Sequence, residues 1–195
     1  MRVVIIGQKY FGAAVLALAG ERAAAVIAPG RDDRLARAAA ERGLPAYDLT
    51  ETPLDRLTLP GRYDLLIAAH AHWLVPTELR QQFVWSIGYH PSLLPLYRGR
   101  SAIEATIAAG DQVTGGTVYH LNDKFDAGAV AFQDWCFVGP DNDPTSLWQR
   151  RLAPLGLKLL ALAVRHLEAH GSLPIRPQEI LEGRKGRLEG VSVTK

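Results

Sequence analysis

The chain has 195 residues, of which 48% are apolar and 22% charged, with a formal net charge of +2. That length favours one domain with enough core to fold without covalent staples, and a single cysteine, Cys136, excludes an internal disulfide. The balanced charge offers no field for nucleic acid or an anionic membrane. No run reaches the roughly 18 apolar residues of a membrane span, so a cytoplasmic location is expected.

Residues 3–6 are a continuous β-branched run closed by Gly7, the pattern of a parallel strand buried on both faces rather than of a leader. Phe11, Ala14, Val15 and Leu18 then recur at helical spacing. Residues 23–28 read as a second strand, and 33–42 as an Ala/Arg-rich helix stopped by Gly43. Residues 44–47 read as a third strand and 64–68 as a fourth. A helix is expected after Pro76, and 84–90 is a fifth strand broken by Pro91.

Residues 101–109 are helical in pattern. Two strands, 115–121 and 129–138, follow with no helix between them. The pattern predicts a helix over 144–170 with Leu152, Leu155, Leu159 and Leu162 as its apolar stripe and Pro154 as a kink or restart. Alternating strands and helices point to a doubly wound, Rossmann-like α/β sheet, and the helix-free pair makes it mixed. Residues 1–170 are read as the catalytic domain and 171–195 as a loosely attached extension. Arg184, Lys185 and Arg187 form a basic cluster read as a solvated tail.

Ligands in such sheets sit outside the carboxyl ends of the strands. His90 lies at such an end, in Gly88-Tyr89-His90-Pro91-Ser92-Leu93-Leu94-Pro95. A histidine exposed there can titrate near neutrality and serve a developing oxyanion or a proton transfer, or it can simply be satisfied at the strand end. Asn122-Asp123-Lys124-Phe125-Asp126-Ala127-Gly128 has the composition of an ordinary hairpin loop. An Asp126 buried beside His90 would orient the imidazole.

His70 and His72 share one face of an extended chain and suit pocket lining, bland surface or a metal. No acidic or cysteine ligand lies close by in sequence, so no metal is expected. A metal-dependent hydrolase using His70, His72 and His90 is the competing reading. Trp73, Leu74 and Val75 read equally as pocket wall or core. Gly7-Gln8-Lys9-Tyr10-Phe11-Gly12 is not the G-x-G-x-x-G fingerprint, and NAD is not expected.

Read jointly, His90-Pro91-Ser92-Leu93-Leu94-Pro95, Arg98-Gly99, Gly110-Asp111, Thr114-Gly115-Gly116-Thr117 and Asp126-Ala127-Gly128 resemble the folate-dependent formyltransferase family over residues 1–170. Ile6-Gly7-Gln8, Phe11-Gly12, Leu173-Pro174 and Pro177-Gln178 are similar to one branch of it, the hydrolase domain of 10-formyltetrahydrofolate dehydrogenase. The resemblance implies the formyltransferase fold, 10-formyltetrahydrofolate as formyl donor, and a small amine or water as acceptor. It implies His90 and Asp126 as the catalytic pair. It places His70, His72, Trp73, Leu74, Asn122, Asp123, Phe125 and Gly128 at the folate, and Gly7, Gln8, Lys9, Gly88 and Ser92 at the acceptor.

Transferases of the family carry Asn two residues before the histidine, where this chain has Gly88. The missing amide opens two alternatives to transfer: hydrolysis, with water as acceptor, or a relative that binds without catalysis. The sequence does not indicate the oligomer.

Overall fold

In the computed structural model, which describes residues 1–178, the β-branched run at the start becomes Val3–Gly7 (β1), buried at all five positions. The described chain falls into two units. One holds residues 1–89 and 121–123, and the other holds 90–120 and the chain from 124 onward.

The first unit runs β1, Lys9–Ala19 (α1), Ala23–Ala28 (β2), Arg34–Ala40 (α2), Ala46–Asp48 (β3), Tyr63–Ala69 (β4), Thr77–Arg80 (α3) and Phe83–His90 (β5). Its strands pair in the order β3-β2-β1-β4-β5, and every pairing is parallel. The chain thus winds outward from β1 in both directions, and the order reverses between β1 and β4. That reversal is where a doubly wound sheet leaves a crevice at its strand ends. Ile5 lies between Val26 and Ile67 in the ladders, each of them fully buried.

β1 and β4 approach so closely at their ends that a Cβ on Gly7 would lie 2.0 Å from the Ala69 carbonyl oxygen. Only glycine fits there. Asp33 caps α2 by accepting from the Leu35 amide at 2.8 Å. The helix after Pro76 is a single turn, and the Arg80 guanidinium at its end donates to the Val75 and Leu121 carbonyls.

The second unit contains Ala102–Ala108 (α4), Val113–His120 (β6), Val130–Phe137 (β7), Pro144–Leu147 (α5) and Ala153–His170 (α6). β6 and β7 pair antiparallel. Parallel strands in one unit and an antiparallel pair in the other match the mixed α/β class read from the sequence.

The helix expected over 144–170 is interrupted. Residues Trp148–Leu152 form a wide turn, and α6 restarts with Pro154 in its first turn, where a missing N–H costs nothing. The buried face of α6 then follows Gly156, Leu159, Leu160, Ala163, Val164 and Leu167, whereas Leu162 is exposed. The expected stripe drifts because a 3.6-residue repeat, and not 3.5, carries the face along the helix.

Gly171, in the left-handed region at φ 68°, ends α6 by donating its N–H to the Leu167 carbonyl. The chain then turns back. Leu173 is buried, and Arg176 and Val130 exchange both backbone hydrogen bonds, at 2.7 and 3.0 Å. Residues 179–195, with Arg184, Lys185 and Arg187, lie outside the described residues. Among those described, no helix is long and apolar enough to cross a membrane.

Candidate active site

β5 ends at His90, because Pro91 has no N–H to extend the ladder. The loop after it is fastened to the β6–β7 pair by buried hydroxyls. Thr117 Oγ1 donates to the Ser92 carbonyl (2.7 Å) and accepts from the Leu94 amide (3.1 Å). Gln133 Nε2 donates to the Leu94 carbonyl and to Thr117 Oγ1. Ser92, fully buried, donates to the Leu96 carbonyl at 2.5 Å. Its hydroxyl therefore shapes the loop.

Inside this frame His90 Nδ1 lies 3.3 Å from Asp126 Oδ2, and His90 Nε2 lies 2.7 Å from the Tyr97 carbonyl oxygen. A carbonyl only accepts, so Nε2 carries a proton. The Nδ1–carboxylate contact is then attractive only with a second proton between the two groups, on the ring or on the acid.

Asp126 is fixed in turn. Its Oδ2 accepts from the Gly99 amide at 2.8 Å, and its Oδ1 accepts from the Tyr119 hydroxyl at 2.7 Å. Burial, followed by the Asp126 charge and the hydrogen bond to it, holds the Tyr119 phenol well above its ordinary range, so it remains a donor. Histidine and carboxylate are both buried, at 5% and 9% exposure. The sequence reading of an exposed histidine is thus corrected. The loop closes over the ring because its carbonyl at Tyr97 satisfies Nε2.

Tyr97 and Asp126 both adopt left-handed backbone, at φ 52° and 53°. Non-glycine residues occupy that region rarely, and such strain concentrates at functional sites. A Cβ on Gly128 would lie 1.6 Å from the His120 carbonyl oxygen, so the loop can close behind Asp126 only with glycine there.

The model of the formyl transferase family matches residues 30–164, a span that contains both His90 and Asp126. The chain belongs to the formyl transferase family. It is 34% identical over 194 residues to the mouse cytosolic 10-formyltetrahydrofolate dehydrogenase, covering 91% of this chain and 21% of that protein. It therefore spans about a fifth of the length of the dehydrogenases it matches. Against the methionyl-tRNA formyltransferase of Syntrophus aciditrophicus (strain SB) it is 36% identical over 115 residues, 59% of this chain and 36% of the other. The crystal structure of glycinamide ribonucleotide transformylase 1 from Symbiobacterium toebii superposes with a TM-score of 0.77 over 92% of this chain and 94% of that one. At 24% identity, this likeness speaks for the fold.

The second unit of this formyltransferase relative thus brings His90, Asp126, Ser92 and Gly128 into one loop assembly, with Phe125 half exposed beside Asp126. The remaining expected site residues belong to the first unit. Gly7, Gln8 and Lys9 follow β1, and the Lys9 amide donates to both Asp33 carboxylate oxygens, at 3.1 and 3.0 Å. Lys9, the first residue of α1, and His70, the residue after β4, both have φ 57°.

The His70 and His72 rings lie 5.0 Å apart. Burial first, then the His72 and Lys9 charges, push the His70 imidazole below its ordinary value, against a smaller opposing effect of Asp33. Trp73 packs on the core cluster, while Leu74 is 41% exposed. Gly88 is buried opposite Ala68 in β5.

Asp123 is tied to α3 by the Thr77 hydroxyl and the Arg80 guanidinium, which hold its carboxyl below the usual range. Asn122 precedes it in the same segment. Among the described residues no group of three or more histidine, cysteine or acidic side chains could hold a metal ion.

Sequence reasoning missed the Tyr97 carbonyl, the Gly99 amide and Tyr119. Tyr119 shares a strand face with Thr117 at the two-residue repeat. That alternation gives the side but not the partner. Backbone groups such as the Tyr97 carbonyl carry no side-chain signal at all.

Proposed function

We propose that the chain catalyses folate-dependent formyl transfer, with 10-formyltetrahydrofolate as donor and a small amine as acceptor. The observation that carries this is the buried His90–Asp126 contact at 3.3 Å, with the carboxylate held by Gly99 and Tyr119. The names of the relatives support the donor: the dehydrogenases matched at 91% of this chain are 10-formyltetrahydrofolate enzymes.

In the proposed reaction the amine nitrogen attacks the formyl carbon, and the bond from that carbon to N10 breaks. The proton lost by the amine ends on N10. The Nε2–H of His90, satisfied here by the Tyr97 carbonyl, is the donor offered to the formyl oxygen as it gains charge. Catalytic hydrogen bonds of this kind commonly form only once substrate is bound. The second proton, between Nδ1 and Asp126, lets the ring give up one proton and regain another.

Folate contact is proposed for His70, His72, Trp73, Leu74, Asn122 and Phe125, with Asp123 and Gly128 shaping their segments. Acceptor contact is proposed for Gly7, Gln8, Lys9 and Gly88, with Ser92, whose hydroxyl is fully buried and bonded to the Leu96 carbonyl, shaping the loop after His90. Gly88 favours a second reading, in which water is the acceptor: glycine brings no side-chain amide to hold an amine.

The test is tetrahydrofolate release from 10-formyltetrahydrofolate, with and without added amines. His90→Ala is expected to lower turnover by about 10² to 10⁴. Release without amine supports hydrolysis, and release only with amine supports transfer. Undiminished turnover in His90→Ala sinks both. Folate KM in His72→Ala and Phe125→Ala, read in the same assay, checks the proposed folate contacts.

A further inference from the structure

Two residues past the Arg176–Val130 pairing, the side chain of Gln178 makes four hydrogen bonds. Its Oε1 accepts from Arg98 Nε at 3.0 Å and from Arg98 Nη2 at 2.6 Å. Its Nε2 donates to the Asp126 carbonyl at 2.8 Å and to the Gly128 carbonyl at 2.7 Å. A primary amide has two N–H donors and two acceptor lone pairs, so its capacity is filled. The amide has one orientation only, because a guanidinium can only donate and a carbonyl can only accept.

The two segments joined by this amide are those that carry the reactive pair. Arg98 lies between Tyr97, whose carbonyl accepts a hydrogen bond from His90 Nε2, and Gly99, whose amide donates to Asp126 Oδ2. On the other side, Gln178 holds the backbone of Asp126 itself. Tyr97 and Asp126, neither of them glycine, have positive φ, at 52° and 53°. Segments in such conformations keep their shape only when the surroundings impose it.

We infer that Gln178 is a positioning residue for the His90–Asp126 pair, locking the loop that holds the histidine to the loop that holds the carboxylate. The inference rests on the proposed role of that pair. With its capacity filled, the Gln178 amide hydrogen-bonds neither His90 nor the Asp126 carboxylate. It acts through Arg98 and through backbone carbonyls. The segment after α6 thereby becomes part of the site's frame.

The test uses the full chain and two variants. Gln178→Glu keeps size and the acceptor for Arg98 but removes both donors and sets a carboxylate against two carbonyls. Gln178→Ala removes all four bonds. The first readout, independent of catalysis, is the pair of ring ¹⁵N shifts of His90, followed through the carbon-bound ring protons across pH and assigned by their loss in His90→Asn. The second is kcat against folate KM.

The expected result is a displaced His90 titration in both variants and a kcat lowered about 10- to 100-fold, with folate KM little changed. A His90 titration superimposable on wild type in Gln178→Glu overturns the inference, whatever the alanine variant does. If the titration moves but wild-type protein releases no tetrahydrofolate, the positioning stands and the proposed reaction fails. If release depends on His90 while both readouts ignore Gln178, the reaction stands and the positioning fails.

Discussion

In the first unit the central strand is buried hydrocarbon at Val3, Val4, Ile5 and Ile6. In the second unit the buried positions include His90, Ser92, Thr106, Thr114, Thr117 and Asp126. All six of these residues belong to the second unit. A hydrocarbon centre is held by area removed from water, and its members are interchangeable within limits of volume. A buried polar centre is held only if each group has a partner, and removing one partner strands the others. The first unit is therefore expected to tolerate conservative change at the cost of stability, and the second to lose turnover beyond what its loss of stability explains.

The largest expected effect separates the two. Asp126→Asn preserves size and suits φ 53°, since asparagine visits the left-handed region readily. It removes the charge facing His90 and sets an amide where two donors already point. Turnover is expected to fall by about 10² to 10⁴, by analogy with the loss of an orienting carboxylate in a catalytic triad. Full turnover in this variant, measured as tetrahydrofolate release, would break the comparison, because the polar centre would then be scaffold.

Next is Ile5→Ala. Ile5 is fully buried between Val26 and Ile67, and its truncation is expected to cost about 2 to 5 kcal/mol in urea unfolding. Turnover per folded molecule should stay near wild type. A loss of turnover larger than the loss of folded protein would show that the hydrocarbon unit also tunes the chemistry.

The smallest effect sharpens the boundary inside the first unit. His70 is partly buried, and its imidazole is held below the ordinary 6.5 by burial and by the charges of His72 and Lys9. A lowered folded value means that the neutral ring is favoured on folding. The contribution is present above pH 6.5 and is lost as pH falls through the lower folded value. His70→Asn, which also suits φ 57°, should flatten the fall of the urea midpoint on the acid side of pH 6.5 and leave the alkaline side unchanged. An unchanged acid slope would assign that fall to other groups.

The strands were legible because buried parallel strands are continuous β-branched runs. Residues 3–6 and 64–68 became β1 and β4 to within one residue at either end. Gly7 was legible as a stop, although the reason for it, the Ala69 carbonyl, was not. The helix over 144–170 was over-read, since its periodicity continues through the wide turn at Trp148–Leu152. His90 and Asp126 were legible from resemblance and not from spacing: 35 positions separate them, and local pattern has no reach over that distance.

The sequence by itself determined where strands begin and end, which faces are apolar, and that a histidine stands at the end of a strand. Those properties depend on neighbours one to four residues away, through side-chain alternation and helical repeat. Only the tertiary structure decided that His90 is buried, that the Tyr97 carbonyl sets its tautomer, and that Tyr119 and Gly99 hold its carboxylate. It alone brought Gln178, which follows α6, to the Arg98 guanidinium and to the Asp126 and Gly128 carbonyls. Hydrogen bonds between distant segments depend on distances of about 3 Å and on backbone groups that every residue shares, and neither leaves a mark in the order of the residues.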